Sequence, residues 1–213
     1  MGQYYKPVLI DEQGNISTLY SHQYDNGLKL MEHSYIGNNF VNAVSTQLWK
    51  HPMRLAWVGD YSDSMDGDPY ESKLPHEQFM KYYNAAWCED DDQWHIHPAP
   101  RNIVTMKSRR FIVNHSQQCY IDLRKYIDAN HWTETGSYDH GVFDPFATYD
   151  MCIHPLPLLT ACGNGRGGGD YYDSHPDYDK VGIWAFDLIE LTDKRPQGYA
   201  PVELHFTEQQ LAA

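Results

Sequence analysis

The chain has 213 residues, enough to bury a substantial core in one domain, and no Pro/Ser-rich linker or low-complexity stretch divides it. Its 16 Lys and Arg against 29 Asp and Glu leave a formal charge of −13. That balance disfavours a direct nonspecific grip on nucleic acid, because phosphate contacts need clustered cations. No apolar run approaches the ~20 residues of a membrane span and no signal-peptide core opens the chain, so a cytoplasmic protein without a membrane partner is expected.

In chain order, Tyr4 to Ile10 reads as a strand, Asp11-Glu12-Gln13-Gly14-Asn15 as a turn and Ile16 to Tyr20 as its antiparallel partner. From Gly27 to Trp49, Leu28, Met31, Tyr35, Phe40, Val44 and Leu48 fall near helical spacing, interrupted at Gly37-Asn38-Asn39. A short helix, a break and a second helix are expected there. Arg54 to Tyr61 resembles a strand.

After it, Asp60, Ser62, Ser64, Asp66, Asp68 and Glu71 stand at positions 1, 3, 5, 7, 9 and 12 of a loop, the spacing of calcium-wrapping oxygens. Met65 occupies the position that needs Gly, Gly67 the one that needs an apolar residue, and a strand leads in, so a solvated acidic turn competes with a metal loop.

His76 to Trp87 offers Phe79, Met80, Tyr83 and Trp87 on one helical face, and the acidic run Glu89 to Asp92 closes it. His95-Ile96-His97 would set two imidazoles on one strand face, with His51, His76, His115 or His154 as a third ligand. Pro98 and Pro100 instead favour an irregular loop, and no metal is assigned. Phe111 to Val113 and Cys119 to Leu123 flank Asn114–Gln118 as a second hairpin. His33-Ser34 and His115-Ser116 are adjacent pairs whose side chains diverge on helix or strand, and no Gly-x-Ser-x-Gly elbow is present. Cys88, Cys119, Cys152 and Cys162 show no Cys-x-x-Cys spacing and read as reduced, buried thiols.

Leu156, Leu158 and Leu159 read as a buried strand leading into Gly163-Asn164-Gly165-Arg166-Gly167-Gly168-Gly169-Asp170-Tyr171. Five glycines around one arginine make a backbone that turns tightly or approaches something closely. A phosphate loop would need Gly-Lys-Ser/Thr and a dinucleotide fingerprint would need a following helix, whereas four aspartates and Pro176 separate Gly169 from Lys180. What remains is a nest of N–H groups beside a guanidinium, able to hold a phosphate or carboxylate, or a hairpin connection whose Arg166 pairs with Asp170 or Asp173. Val181 to Leu191, almost continuously apolar, reads as the last strand. The class is α+β: one domain over residues 1–213, with a mainly antiparallel sheet packed by two or three helices.

Seventeen tyrosines and six tryptophans exceed what a small core requires, so Tyr61, Tyr171, Tyr172 and Tyr178, flanked by acids, are candidates to stack on a ligand or partner. The opening Met1-Gly2-Gln3-Tyr4-Tyr5, the segment Asp25 to Glu32, Trp57-Val58-Gly59-Asp60-Tyr61 and the glycine block together resemble a family of uncharacterised bacterial and phage proteins. Cys162 stands where an acidic residue is expected. The resemblance implies an intracellular, phage or mobile-element context and supplies no catalytic residue or cofactor.

Three functions fit these features. The first is binding of a phosphorylated, nucleotide-like small molecule by Gly163, Asn164, Gly165, Arg166, Gly167, Gly168 and Gly169, with Asp60, Tyr61, Asp170 and Tyr171 completing the site. The Gly59-Asp60-Tyr61 ending and the glycine loop are then expected side by side. The second is an acidic interaction module, a nucleic-acid mimic that occupies a basic host protein such as a nucleic-acid enzyme, as an anti-defence factor would. The third is a hydrolase or transferase using Asp60, Asp170 and a histidine.

Overall fold

A computed structural model describes residues 3–62, 73–87, 110–139, 142–163 and 178–206. Next to one edge of its sheet, β1 (Tyr5–Ile10) pairs antiparallel to the edge strand β2 (Ile16–Thr18) on one side and to β3 (Met53–Gly59) on the other. Asp11 closes the first turn by accepting from the backbone of Gln13 and Asn15, and Gly14 takes a φ of +81° that suits glycine. Beyond β3 come β9 (Asp187–Thr192), β4 (Phe111–Asn114), β5 (Cys119–Asp122) and β10 (Ala200–Pro201). With β8 (Ala161–Cys162) beside β3, these make one eight-stranded, mainly antiparallel sheet, and the fold is α+β.

Helices cover both faces of the β1–β3 pair. One face, carrying Tyr5, Leu9, Leu55 and Trp57, meets α1 (Leu30–His33) and α2 (Asn39–Gln47). Asn38 starts α2 by accepting from the N–H groups of Phe40 and Val41 at 2.9 and 3.2 Å. The opposite face, Val8, Ile10, Ala56 and Val58, meets α3 (His76–Trp87) through Phe79, Tyr82 and Ala86, spaced three and four residues apart so that they share one stripe. No described helix is long and apolar enough to cross a membrane.

Two expected strands are corrected. Leu156, Leu158 and Leu159 lie in the helix α5 (Pro155–Leu159), not in a strand. Pro155 presets the first helical φ and the His154 ring accepts from Leu156 N–H, while the surroundings bury every residue of the turn, so its apolar run has no period. The last strand begins at Asp187 rather than Val181: residues 181–186 form turns, with Gly182 and Phe186 at φ of +75° and +61°. That segment is pinned by Gly182 N–H on Leu158 O and Trp184 N–H on Leu159 O, bonds a straight strand could not make.

The second hairpin also ends earlier than expected. Asp122 stops β5 and caps α4 (Leu123–Asn130) by accepting from Arg124 N–H at 3.2 Å. A separate two-stranded sheet, β6 (Trp132–Asp139) with β7 (Val142–Met151), follows and was not anticipated.

Candidate functional site at the ends of β3 and β8

The sheet divides along one edge of β3. Residues Met53 to Leu55 pair with β9, whereas Trp57 and Val58 pair with Ala161 and Cys162 of β8, in parallel. Running in the same direction, β3 and β8 end together, so Gly59 and Gly163 follow their last paired residues side by side.

Local bonds fix these ends. Asp60 donates its N–H to Tyr4 O at 2.9 Å and accepts from Tyr4 N–H through Oδ1 at 3.0 Å, while its carbonyl accepts from the Tyr83 hydroxyl of α3 at 2.7 Å. The Ser62 hydroxyl donates to Cys162 O at 2.7 Å and so ties the two exits to each other. A Cβ at Gly59 would collide with the Gln3 amide, and one at Gly163 with the Tyr5 hydroxyl and Gln3 Oε1. Gly163 is therefore required for close approach to the Tyr5 ring, a reason distinct from a left-handed turn, whereas at Gly59 only the end of the Gln3 side chain stands in the way.

Gln3 escaped sequence reasoning. It is 0 % exposed, its Oε1 accepts from the Tyr5 hydroxyl at 2.9 Å, and its Nε2 has no partner. Its signal was its position two residues before Tyr5, on the same face of the chain entering β1. Of the predicted site residues, Asp60, Tyr61 and Gly163 are thus placed around the paired strand ends. Asn164, Gly165, Arg166, Gly167, Gly168, Gly169, Asp170 and Tyr171 lie outside the described residues.

The same face of the sheet holds further polar atoms. His33 stacks on Trp57 at 4.8 Å and meets Phe40 edge-on at 5.2 Å. Burial pushes its pKa down to about 4, only partly opposed by the Gly27 backbone, and neither ring nitrogen makes a well-formed hydrogen bond. Trp57 Nε1 and the Tyr24 hydroxyl are likewise buried without partners. His154, which caps α5 through Nδ1, carries its proton on Nε2, which also has no partner; burial takes its pKa down to about 3.

Other candidates fall apart or lie elsewhere. Asp60 and Ser62 of the calcium-like loop are already bonded to Tyr4 and Cys162, and the remaining positions from Ser64 to Glu71 lie outside the described residues, as do His95 and His97. Among the described residues no three His, Cys, Asp or Glu side chains gather as a metal site would need. Cys119, Cys152 and Cys162 are free and buried, with thiol pKa values pushed by burial up to about 11, 12 and 12, unsuited to a nucleophile. His115 turns away from Ser116: its Nδ1 meets the Tyr199 hydroxyl at 3.1 Å and its Nε2 meets Glu190 at 2.9 Å, while Ser116 Oγ accepts from Leu188 N–H.

No protein-family model, curated protein or solved structure matches this chain.

Proposed function

We propose that the protein binds a phosphorylated, nucleotide-like small molecule at the ends of β3 and β8. The observation that supports this reading is the parallel pairing of Trp57 and Val58 with Ala161 and Cys162, which brings Gly59-Asp60-Tyr61 beside the first residue of the glycine block, over a buried Gln3 amide with an unused donor. In this reading Arg166 and the glycine N–H groups take the phosphate by charge-assisted bonds, and Asp60, held in direction by Tyr4 and Tyr83, accepts from sugar hydroxyls. The test is a thermal-shift and calorimetric screen of mononucleotides and cyclic nucleotides. A ligand at 100 times its dissociation constant should add about 2.7 kcal/mol of stability, and Arg166→Gln should remove most of the gain. A screen in which nothing moves the melting temperature, or an Arg166→Gln protein that binds as the wild type does, rejects the reading.

One observation favours a second reading, an acidic module that docks on a basic host protein. Among the described residues the β6–β7 hairpin joins no other strand; it carries Glu134, Asp139, Asp144 and Asp150 with no Lys or Arg between Trp132 and Met151, and leaves Phe146 89 % exposed. Capture of a defined nucleic-acid enzyme at low salt, lost with Asp144→Asn/Phe146→Ser, would put this reading ahead; unchanged capture by that variant would remove it.

A further inference from the structure

Far from the strand ends, a groove of about 650 Å³ lies between α4, the start of β4, the end of β5 and the stretch from Pro201 to His205. Its size is that of small-molecule sites. Three cations and three carboxylates line it. Arg110 and Asp122 neutralise each other at 3.0 Å, and Asp122 also caps α4. The other four, Lys125, Arg195, Asp193 and Glu203, make no ion pair among the described residues. The Arg195 guanidinium lies over the Tyr120 ring, 5.6 Å from its centroid, and both residues line the groove.

A buried amide supplies an independent sign of a ligand. Asn130 lines the groove and is fully buried; its Nδ2 donates to Tyr126 O at 2.8 Å and Leu204 O at 3.0 Å, and its Oδ1 has no donor. Because both Nδ2 bonds run to carbonyls, the amide cannot be turned around to fill that vacancy. A buried acceptor left unpaired keeps its desolvation cost, which a donor arriving with a ligand would recover.

The balance of charge selects the ligand class. A phosphate dianion would meet Lys125 and Arg195 but also the unpaired Asp193 and Glu203. A simple amine would meet the reverse. We infer that the groove binds a zwitterion with an apolar body, an α-amino acid or dipeptide: its carboxylate goes to Arg195 and Lys125, its ammonium to Asn130 Oδ1 and Glu203, and its side chain to the apolar wall of Val202 and Leu204. This site is independent of the strand-end reading and uses none of its residues.

Calorimetry with L-leucine, L-leucyl-L-leucine, N-acetyl-leucine, leucinamide and AMP tests it, on the wild type and on Arg195→Gln and Glu203→Gln, two charge changes outside the core. A zwitterion should bind, and both derivatives that lose one charge should bind at least about tenfold more weakly. Arg195→Gln should weaken leucine but leave leucinamide unchanged, and Glu203→Gln should weaken leucine but leave N-acetyl-leucine unchanged. No zwitterion binding at millimolar concentration would overturn the assignment. So would equal losses for all ligands in both variants, or AMP binding that Arg195→Gln abolishes. Failure here would leave nucleotide binding dependent on Arg166 untouched.

Discussion

The two faces of the β1–β3 pair are buried equally well but differ in what they bury. Under α3, Val8, Ile10, Ala56 and Val58 pack on Phe79, Tyr82, Ala86 and Phe186, with the Tyr82 and Phe186 rings stacked at 5.4 Å. The polar group that enters this face, Lys6, is satisfied: its Nζ donates to Ala86 O at 2.9 Å and sits 4.3 Å from the Trp87 ring. Under α1 and α2, by contrast, Gln3, Tyr24, His33 and Trp57 each hold a buried polar atom with no partner. At about 1–3 kcal/mol for each unsatisfied group, the second face gives up stability that the first keeps. The difference teaches that α3 secures the sheet, whereas the α2 face carries a polar interior leading to the ends of β3 and β8.

The largest effect should come from the apolar face. Phe79→Ala removes a fully buried ring with well-matched neighbours and should cost about 3–5 kcal/mol in urea unfolding. A loss below ~1 kcal/mol would mean that α3 is not the stabilising layer.

Acid should break the polar face next. His33 and His154 have folded pKa values near 4 and 3, below the usual 6.5, so the unfolded chain binds more protons once pH falls below about 6.5. Their contribution is complete above that pH and is lost progressively as pH drops to about 4 and then 3. Unfolding free energies measured from pH 7 to 4 should fall, and the slope should lessen in His33→Phe. An identical slope in that variant would assign the acid sensitivity elsewhere.

Gly163→Ala should cost about 1–3 kcal/mol, because the new methyl meets the buried Tyr5 hydroxyl as well as Gln3. Gly59→Ala should cost less, since only the end of the flexible Gln3 side chain must move. Equal melting temperatures for Gly163→Ala and the wild type would show that the strand ends are more open than described. The smallest effect is expected from His33→Phe at pH 7. The ring stack on Trp57 is kept and two unpaired nitrogens are removed, so stability should be unchanged or higher by about 1 kcal/mol. A loss above ~2 kcal/mol would reveal a hydrogen bond that the polar face depends on.

Much of the frame was legible in the chain because its signals are local. Gly14-Asn15 marks the β1–β2 turn, Asn38 marks the start of α2, and the stripe through Phe79 fits a helix over His76–Trp87. Leu156, Leu158 and Leu159 read as a strand although they lie in a helix, because an apolar run without polar gaps has the same composition in a buried helix and a buried strand. Trp184 and Phe186 were drawn into the last strand for the same reason, although backbone bonds to Leu158 and Leu159 hold that segment in turns. At the candidate site, the Gly-Asp-Tyr endings at Gly59 and Gly169 suggest that the glycine loop lies beside the end of β3; of that loop only Gly163 is among the described residues. Gln3, His33 and His154 could not be found that way: an isolated polar residue in an apolar stretch shows its burial only after strands from distant parts of the chain have paired.

Nuclear magnetic resonance on ¹⁵N-labelled protein, titrated with a mononucleotide panel, observes the strand-end site directly through the backbone amides of Gly59, Asp60 and Gly163 and the side-chain amide of Gln3. Saturable shifts of these four signals, with those of Lys125 and Arg195 unmoved, are the predicted result. A panel that leaves the four signals in place, or shifts only the α4 groove, would contradict ligand binding at the ends of β3 and β8.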